Sequence, residues 1–393
     1  IPRFIQVILS LITLPLILKS IQIDEYGGLQ FVLAIQAWMV IVSGSKIPSA
    51  AKRGIVVNLE GTFLYGFFAR LKLLLPLALL CLIGGIYLYI QNSGIISVLI
   101  IIGSLNLFLT QPFESSLFEY LIAKKYYSTW SRYQIINSSL SLLVAACVVV
   151  YTKSIIFYFL TQSIIASSSL IFEWFFIVQR EGLIKKYQQG LIDKECIAFG
   201  RKFILVDVIS ATADKIAHVF IGYFFGLANL ALFAVAYKLR DCFAGSIKSF
   251  QQIFYADFAA QKPDIILSRL NDRFFIFFLL STGATILFFL TGSGYILFFL
   301  PESMHQTVIY FAILLAGFPV GGISIALHTY LESHLKFREL LVVAIWPNLI
   351  NIFAILLLGH YWGIVGICIA LALDTWFFFL FYYVVTLLKF PKS

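Results

Sequence analysis

Apolar residues run through this chain in long unbroken stretches separated by short polar ones. A helix needs about 20 apolar residues to cross a bilayer, and these stretches reach that length. They are continuous rather than alternating, so they predict helices and not the strands of a membrane barrel. The first six runs lie at 2–18, 27–45, 73–90, 94–113, 134–151 and 154–178. The polar stretch "QREGLIKKYQQGLIDKECIAFGRK" (179–202) then breaks the pattern. Six more runs follow at 203–225, 227–247, 274–298, 306–328, 340–358 and 362–388. The expected protein is an all-α integral membrane protein with about 12 transmembrane helices. Residues 1–178 form one six-helix bundle, 179–202 a cytoplasmic amphipathic linker, and 203–393 a second six-helix bundle. In the linker, Leu183, Ile184, Tyr187 and Leu191 recur at helical spacing among Lys and Gln, which predicts a helix along the inner membrane surface. The chain starts with Ile1 and enters its first apolar run almost at once, so part of the first span is expected to precede it.

Composition agrees with the pattern. Of 393 residues, 61% are hydrophobic and 12% charged. Soluble domains carry about 25% charged residues, so an ordinary globular protein is excluded. The five cysteines, Cys81, Cys147, Cys196, Cys242 and Cys368, are scattered singly, without metal-ligand spacing, and read as small apolar filler.

The basic residues set an orientation. Those that follow even-numbered runs include Lys46, Lys52, Arg53, Arg70 and Lys72, then Lys124, Lys125 and Arg132, and the cluster in 179–202. Connections after odd-numbered runs hold only Lys19 and Lys153, while Arg3 and Lys215 fall inside runs. Positive residues collect in cytoplasmic loops, so both termini are expected in the cytoplasm. The net charge of +9 is then a property of topology and of contact with anionic membrane lipids, and no nucleic-acid partner is implied.

A faint repeat supports two related halves. "YGGLQFVLAIQAW" (26–38) and "FGLANLALFAVAY" (225–237) each open an even-numbered run, and Gly27 aligns with Gly226, Leu33 with Leu232, Ala37 with Ala236 and Trp38 with Tyr237. With an even number of spans per half, both halves enter the membrane in the same sense, related by an axis along its normal.

Charged groups inside apolar runs mark function, because an ionised side chain in mid-membrane costs a few kcal/mol or more unless it faces protein or water. In the seventh run, "FILVDVISATADKIAHVFIGYFFG", a helical wheel puts Asp207, Ser210, Ala211, Asp214 and His218 on one side with Lys215 at its edge. Ile209, Ile216, Val219 and Phe220 fall opposite. The stripe is read as lining a cavity or a helix interface. An internal Asp214–Lys215 pair is the alternative, although adjacent helical residues diverge. In the first run Arg3, Gln6, Ser10 and Thr13 share a face. Arg3 is either deep in the span or snorkels at its inner end. Glu173 lies near the inner end of the sixth run and Asp374 near the middle of the twelfth. Lys238, Arg240 and Asp241 occupy the inner half of the eighth, where headgroup anchoring and a cavity role both stand open. The cations Arg3, Lys215 and Arg240, with His218, suit an anionic cargo. The acids Asp207, Asp214, Asp374 and Glu173 suit coupling to H⁺ or Na⁺, and no other cofactor and no bound metal is expected.

Three segments carry a resemblance. "LPLILKSIQIDEYGGLQFVLAIQAW", "TADKIAHVFIGYFFGLANLALFAVAYKL" and "GHYWGIVGICIALALDTWFFFLFYYVV" resemble the first-to-second helix passage, the seventh-to-eighth helix segment and the final helix of Wzx-type polysaccharide flippases. The second is the most specific, with its Asp-Lys pair, Ile-Gly and Ala-Tyr. "SGSKIPSAAKRG" departs from the Leu-Gly-rich stretch that family members often carry after the second helix. The resemblance implies the MATE-like fold of the MOP superfamily, two six-helix bundles forming a V. It implies a lipid-linked oligosaccharide on undecaprenyl diphosphate, turned from the inner to the outer leaflet of a bacterial cytoplasmic membrane by ion-coupled alternating access. The route would serve surface polysaccharides such as O-antigen lipopolysaccharide or capsule, beside a polymerase machinery. A MATE-like drug or metabolite cation antiporter is the rival reading. A membrane glycan polymerase or acyltransferase fits less well, because the odd-side loops are short and no acid–base or metal cluster stands out; an enzyme is not expected.

Overall fold

The computed structural model describes the backbone of residues 2–92, 94–202, 204–260, 272–333 and 337–389; within these, the side chains of 2–4, 92, 246–260, 332, 333, 337 and 387–389 lie outside the description. The regular structure of the described residues is all helix, without strands. Seven of their helices are long and apolar enough to cross a membrane, or eight if one bent pair counts as a span. The chain divides into two compact units, 1–211 and 212–393, and the division falls inside a helix.

The first unit contains α1 (Pro2–Ser20), α2 (Ile23–Val42), α3 (Lys46–Val56), α4 (Thr62–Asn92), α5 (Ile95–Ala123), α6 (Tyr127–Thr152), α7 (Ile155–Arg180), α8 (Leu183–Gln188) and α9 (Lys194–Lys202). Hydropathy places the third and fifth runs at 73–90 and 134–151, and their helices begin about three and two turns earlier. The reason is packing. Phe63 and Phe67 precede the uniformly apolar part of α4 but are buried with Tyr120 of α5 and Trp174 of α7. Phe67 lies 4.7 Å from Trp174 and Phe63 lies 5.1 Å from Tyr120, ring centre to ring centre. Such pairs contribute roughly 0.5–1.5 kcal/mol beyond burial of their area, enough to extend a helix past its oily stretch.

The polar pattern of "SGSKIPSAAKRG" suggests only a loop, and most of it is helix α3. Ile47, Ala51 and Ile55 recur every fourth residue on its buried face. Ile47 and Ala51 meet Ala69 of α4 and Cys196 and Ile197 of α9. The single surface helix expected across 179–202 is two short ones, separated where Gly190 turns with φ 75°. Leu183 is buried while Ile184 is exposed. This segment is held against the rest of the first unit by backbone contact. A Cβ on Gly61 would stand 2.8 Å from the Leu191 carbonyl oxygen and 2.9 Å from the Tyr187 Cα.

The second part of the chain contains α10 (Ile204–Phe224), α11 (Leu227–Ala260), α12 (Phe274–Phe299), α13 (Thr307–Leu315), α14 (Phe318–Ser333) and α15 (Phe337–Lys389). The division between units cuts α10 after Ala211. Residues Leu230 to Tyr237 of α11 are buried without interruption, as expected for a helix that is apolar on all sides. The tenth run, expected as one span over 306–328, is the pair α13 and α14, bent by 46°. Pro319 accounts for the break. Its ring clashes with the carbonyl four residues earlier, and α13 ends at that residue, Leu315. The eleventh and twelfth runs are the two arms of α15, which meet at Gly363 with φ 62° and ψ −143°. Only glycine adopts that conformation readily, and the chain folds back there, bringing Gly366 against the Leu358 carbonyl.

Candidate functional site

The second unit gathers a polar cluster on α10, α11 and α15. Asp214 and Lys215 are neighbours on α10, and adjacent positions point about 100° apart. The pair nevertheless closes directly, with Lys215 Nζ 2.6 Å from Asp214 Oδ2. The alternative of an internal pair is therefore the one formed, because the four-carbon lysine stem spans the angle between neighbouring positions. The other carboxylate oxygen is taken from α11, where the Tyr237 phenol donates to Asp214 Oδ1 at 2.5 Å. Both oxygens of Asp214 are therefore engaged, although its side chain stays 44% exposed.

His218 lies one turn further along α10 and is buried. Its ring sits edge-on to Phe233 at 5.0 Å and to Tyr237 at 4.9 Å, and its Nδ1 has no hydrogen-bond partner. Arg240 follows Tyr237 by one turn of α11. Its guanidinium carbon is 5.1 Å from the Tyr237 ring centre, a cation–π arrangement. Its ion pair with the exposed Asp241 is loose, at 3.8 Å, and its Nε is buried and unpartnered. Asp374 on α15 has a buried, unpartnered Oδ1 and interacts electrostatically with Arg240 and Asp214. Lys215, Asp214, His218, Arg240 and Asp374 thus form one neighbourhood around Tyr237. Sequence reasoning aligns Tyr237 with Trp38 but gives it no role in the site. Its signal is positional: an aromatic one turn before Arg240 in the eighth run.

The remaining expected site residues have other surroundings. Asp207 is buried in the first unit, where Ser45 Oγ donates to its Oδ2 at 2.9 Å. The polar stripe of the seventh run is therefore shared between the two units. Glu173 on α7 also belongs to the first unit, electrostatically coupled to Tyr133 of α6. The side chain of Arg3 lies outside the described residues. Its neighbour on the same face, Gln6, donates to Ser138 of α6 at 2.5 Å. That face of α1 is turned toward another helix of its own unit.

The first unit holds a charged centre that sequence reasoning misses. Arg70 is expected in a basic connection, yet it lies inside α4 and is 1% exposed. Its Nη1 donates to the Gln111 carbonyl at 3.2 Å and to Ser115 Oγ, and its Nη2 reaches the Val40 carbonyl at 3.4 Å. Glu114 on α5 supplies the opposing charge. Outside the apolar runs, Lys124 and Lys186 converge on Glu60, Lys186 at 2.5 Å. Burial pushes the Glu60 carboxyl up, but the hydrogen bonds and charges of the two ammonium groups outweigh it and hold the group below the ordinary carboxylate value. Among the described residues, no group of three or more His, Cys, Asp or Glu has the arrangement to hold a metal ion.

No protein-family model matches the chain. No curated protein sequence matches it either. Solved structures do. A multidrug resistance MATE family transporter of the MOP superfamily, in an inward-facing conformation, superposes with a TM-score of 0.72 at 12% identity, covering 99% of this chain and 96% of that one. The MATE multidrug transporter DinF-BH gives 0.67 at 14% identity over 99% and 93%. The lipid II flippase MurJ, in an inward closed conformation, gives 0.59 at 13% identity over 99% and 86%. The likeness runs along the whole chain in each case, and on it the protein has the fold of the MATE-like transporters of the MOP superfamily.

Proposed function

We propose that this protein is a flippase that turns an anionic, lipid-linked oligosaccharide across a bacterial cytoplasmic membrane for surface polysaccharide assembly. The observation that carries the reading is Arg240, a cation within a long helix, stacked on Tyr237 with its Nε unpartnered and Lys215 in the same cluster. A diphosphate carries the charge and acceptor oxygens that such a group recognises, and guanidinium–phosphate contacts are among the strong charge-assisted hydrogen bonds. In this reading the helices make twelve spans in two six-helix bundles with both termini in the cytoplasm, as the distribution of Lys and Arg favours. Lys215, Arg240 and His218 attract the diphosphate and any acidic sugars, and Arg3 is a further candidate cation within the first unit. Asp374, whose Oδ1 is unpartnered, is the first choice for the coupling ion, H⁺ or Na⁺, with Asp214 setting the surrounding charge, and Asp207 and Glu173 are further coupling candidates within the first unit. The bundles alternate access to the two leaflets, and a polysaccharide polymerase consumes the flipped unit. The likeness to a lipid II flippase supports this substrate class, and the resemblance to Wzx-type flippases narrows it.

A second reading, export of a soluble drug or metabolite by cation antiport, is favoured by the likeness to multidrug transporters. Deletion of the gene in its host separates the two. Loss of surface polymer with accumulation of an undecaprenyl-linked repeat unit supports flipping. Unchanged glycan with altered resistance to a soluble compound supports export. Complementation with Lys215→Ala should fail while the protein stays in the membrane at normal level; normal glycan export by that variant would sink the flippase assignment of the cluster.

A further inference from the structure

We infer that Tyr237 is a positioning residue that keeps Asp214 off Arg240, and so leaves the guanidinium free to bind an anion. The inference rests on the proposed function. Asp214 and Arg240 attract one another electrostatically and meet the same Tyr237 side chain, one at its hydroxyl and the other at its ring face. The phenol hydroxyl donates to Asp214 Oδ1 at 2.5 Å while the ring face receives the guanidinium at 5.1 Å. With Lys215 on Oδ2, each carboxylate oxygen already accepts one short bond, so Arg240 would have to share an oxygen with a donor already in place. A carboxylate oxygen without a donor, beside a guanidinium, accepts a charge-assisted bond from it, and an incoming diphosphate has to displace that contact. Tyr237 prevents that pairing by satisfying the oxygen itself.

The other groups near Arg240 do not replace this function. Asp241 is adjacent on α11 and stands at 3.8 Å, beyond hydrogen-bond distance. Asp374 interacts with Arg240 from α15, but its Oδ1 makes no hydrogen bond. His218 packs its ring against Tyr237 and makes no hydrogen bond through Nδ1. Tyr237 itself is buried, so the hydroxyl is held in place by the fold.

The test is a two-residue cycle with a polyprenyl diphosphate as the probe, binding measured on the full-length protein in nanodiscs. Tyr237→Phe keeps the ring and removes the donor. It should weaken diphosphate binding about tenfold, the range of one charge-assisted contact. Tyr237→Phe combined with Asp214→Asn should restore binding to the wild-type level or above, because the competing carboxylate is gone. A merely structural tyrosine gives no such rescue. A separate readout needs no ligand: the Cζ carbon resonance of ¹³C-labelled Tyr237 should move on Asp214→Asn. Tyr237→Phe binding like wild type, or a double variant as weak as the single one, overturns the inference. Failure of the wild type itself to bind the diphosphate instead overturns the flippase reading.

Discussion

Arg70 offers the sharpest test of how the first unit is held together. Replacing it by Met keeps the apolar stem and deletes the guanidinium. The loss is worked from its contacts. Three hydrogen bonds vanish, to the Gln111 carbonyl, the Val40 carbonyl and Ser115 Oγ. Each bond from a charged donor contributes about 1.5–3 kcal/mol, and they are not additive because one group makes all three. Glu114 loses its counter-charge at the same time. Three charge-assisted bonds from one group, not simply additive, put the expected destabilisation of Arg70→Met at about 3–5 kcal/mol. The double variant Arg70→Met, Glu114→Gln should recover part of it, since a neutral amide tolerates the site better than a lone carboxylate. Reversible unfolding in mixed micelles, followed by loss of helical signal and by fluorescence of Trp174, measures both. Trp174 reports locally, because it packs with Phe67 and Phe113 on the same pair of helices as Arg70 and Gln111. An Arg70→Met variant within about 1 kcal/mol of wild type would refute the reasoning. So would a double variant less stable than the single one.

Two further outcomes are expected. Glu60 has its carboxyl held low in the folded protein, so it contributes stability above its ordinary value of 4.5 and loses it as pH falls through the folded value. Thermal denaturation across the acid range should therefore show a steeper decline for wild type than for Glu60→Gln, and parallel curves would remove the ion cluster with Lys124 and Lys186 from the account. Gly363→Ala forces a side chain into a backbone region that is nearly glycine-only, and should cost about 1–3 kcal/mol in the same unfolding measurement; an unchanged stability would mean that the two arms of α15 join in some other way.

Much of the helical framework is legible in the sequence because its cause is local. A run such as 95–123 satisfies its backbone groups within itself and needs nothing from the rest of the chain to be helical. Helix starts are less legible. The polar residues before the third and fifth runs look like loop, and only the packing of Phe63 and Phe67 against Trp174 carries the third of these helices back over them. The break in the tenth run is readable in principle from Pro319, whose effect falls on Leu315 four residues away.

Charge follows the same division. From the order of residues it follows that the chain is built of membrane-length helices, and that Asp214, Lys215, His218, Arg240 and Asp374 sit where ionisable groups are costly. Hydropathy and helical period are properties of neighbours along the chain, so one dimension suffices. Which of these groups meet is a matter of packing in three dimensions. Packing joined Asp214 to Lys215, brought Tyr237 against both Asp214 and Arg240, and gave Asp207 to Ser45. It also turned Arg70 from an apparent loop charge into the centre of a buried network. Such pairings depend on helices distant in sequence packing side by side, and the energy of a buried charge is set by the partner it finds there.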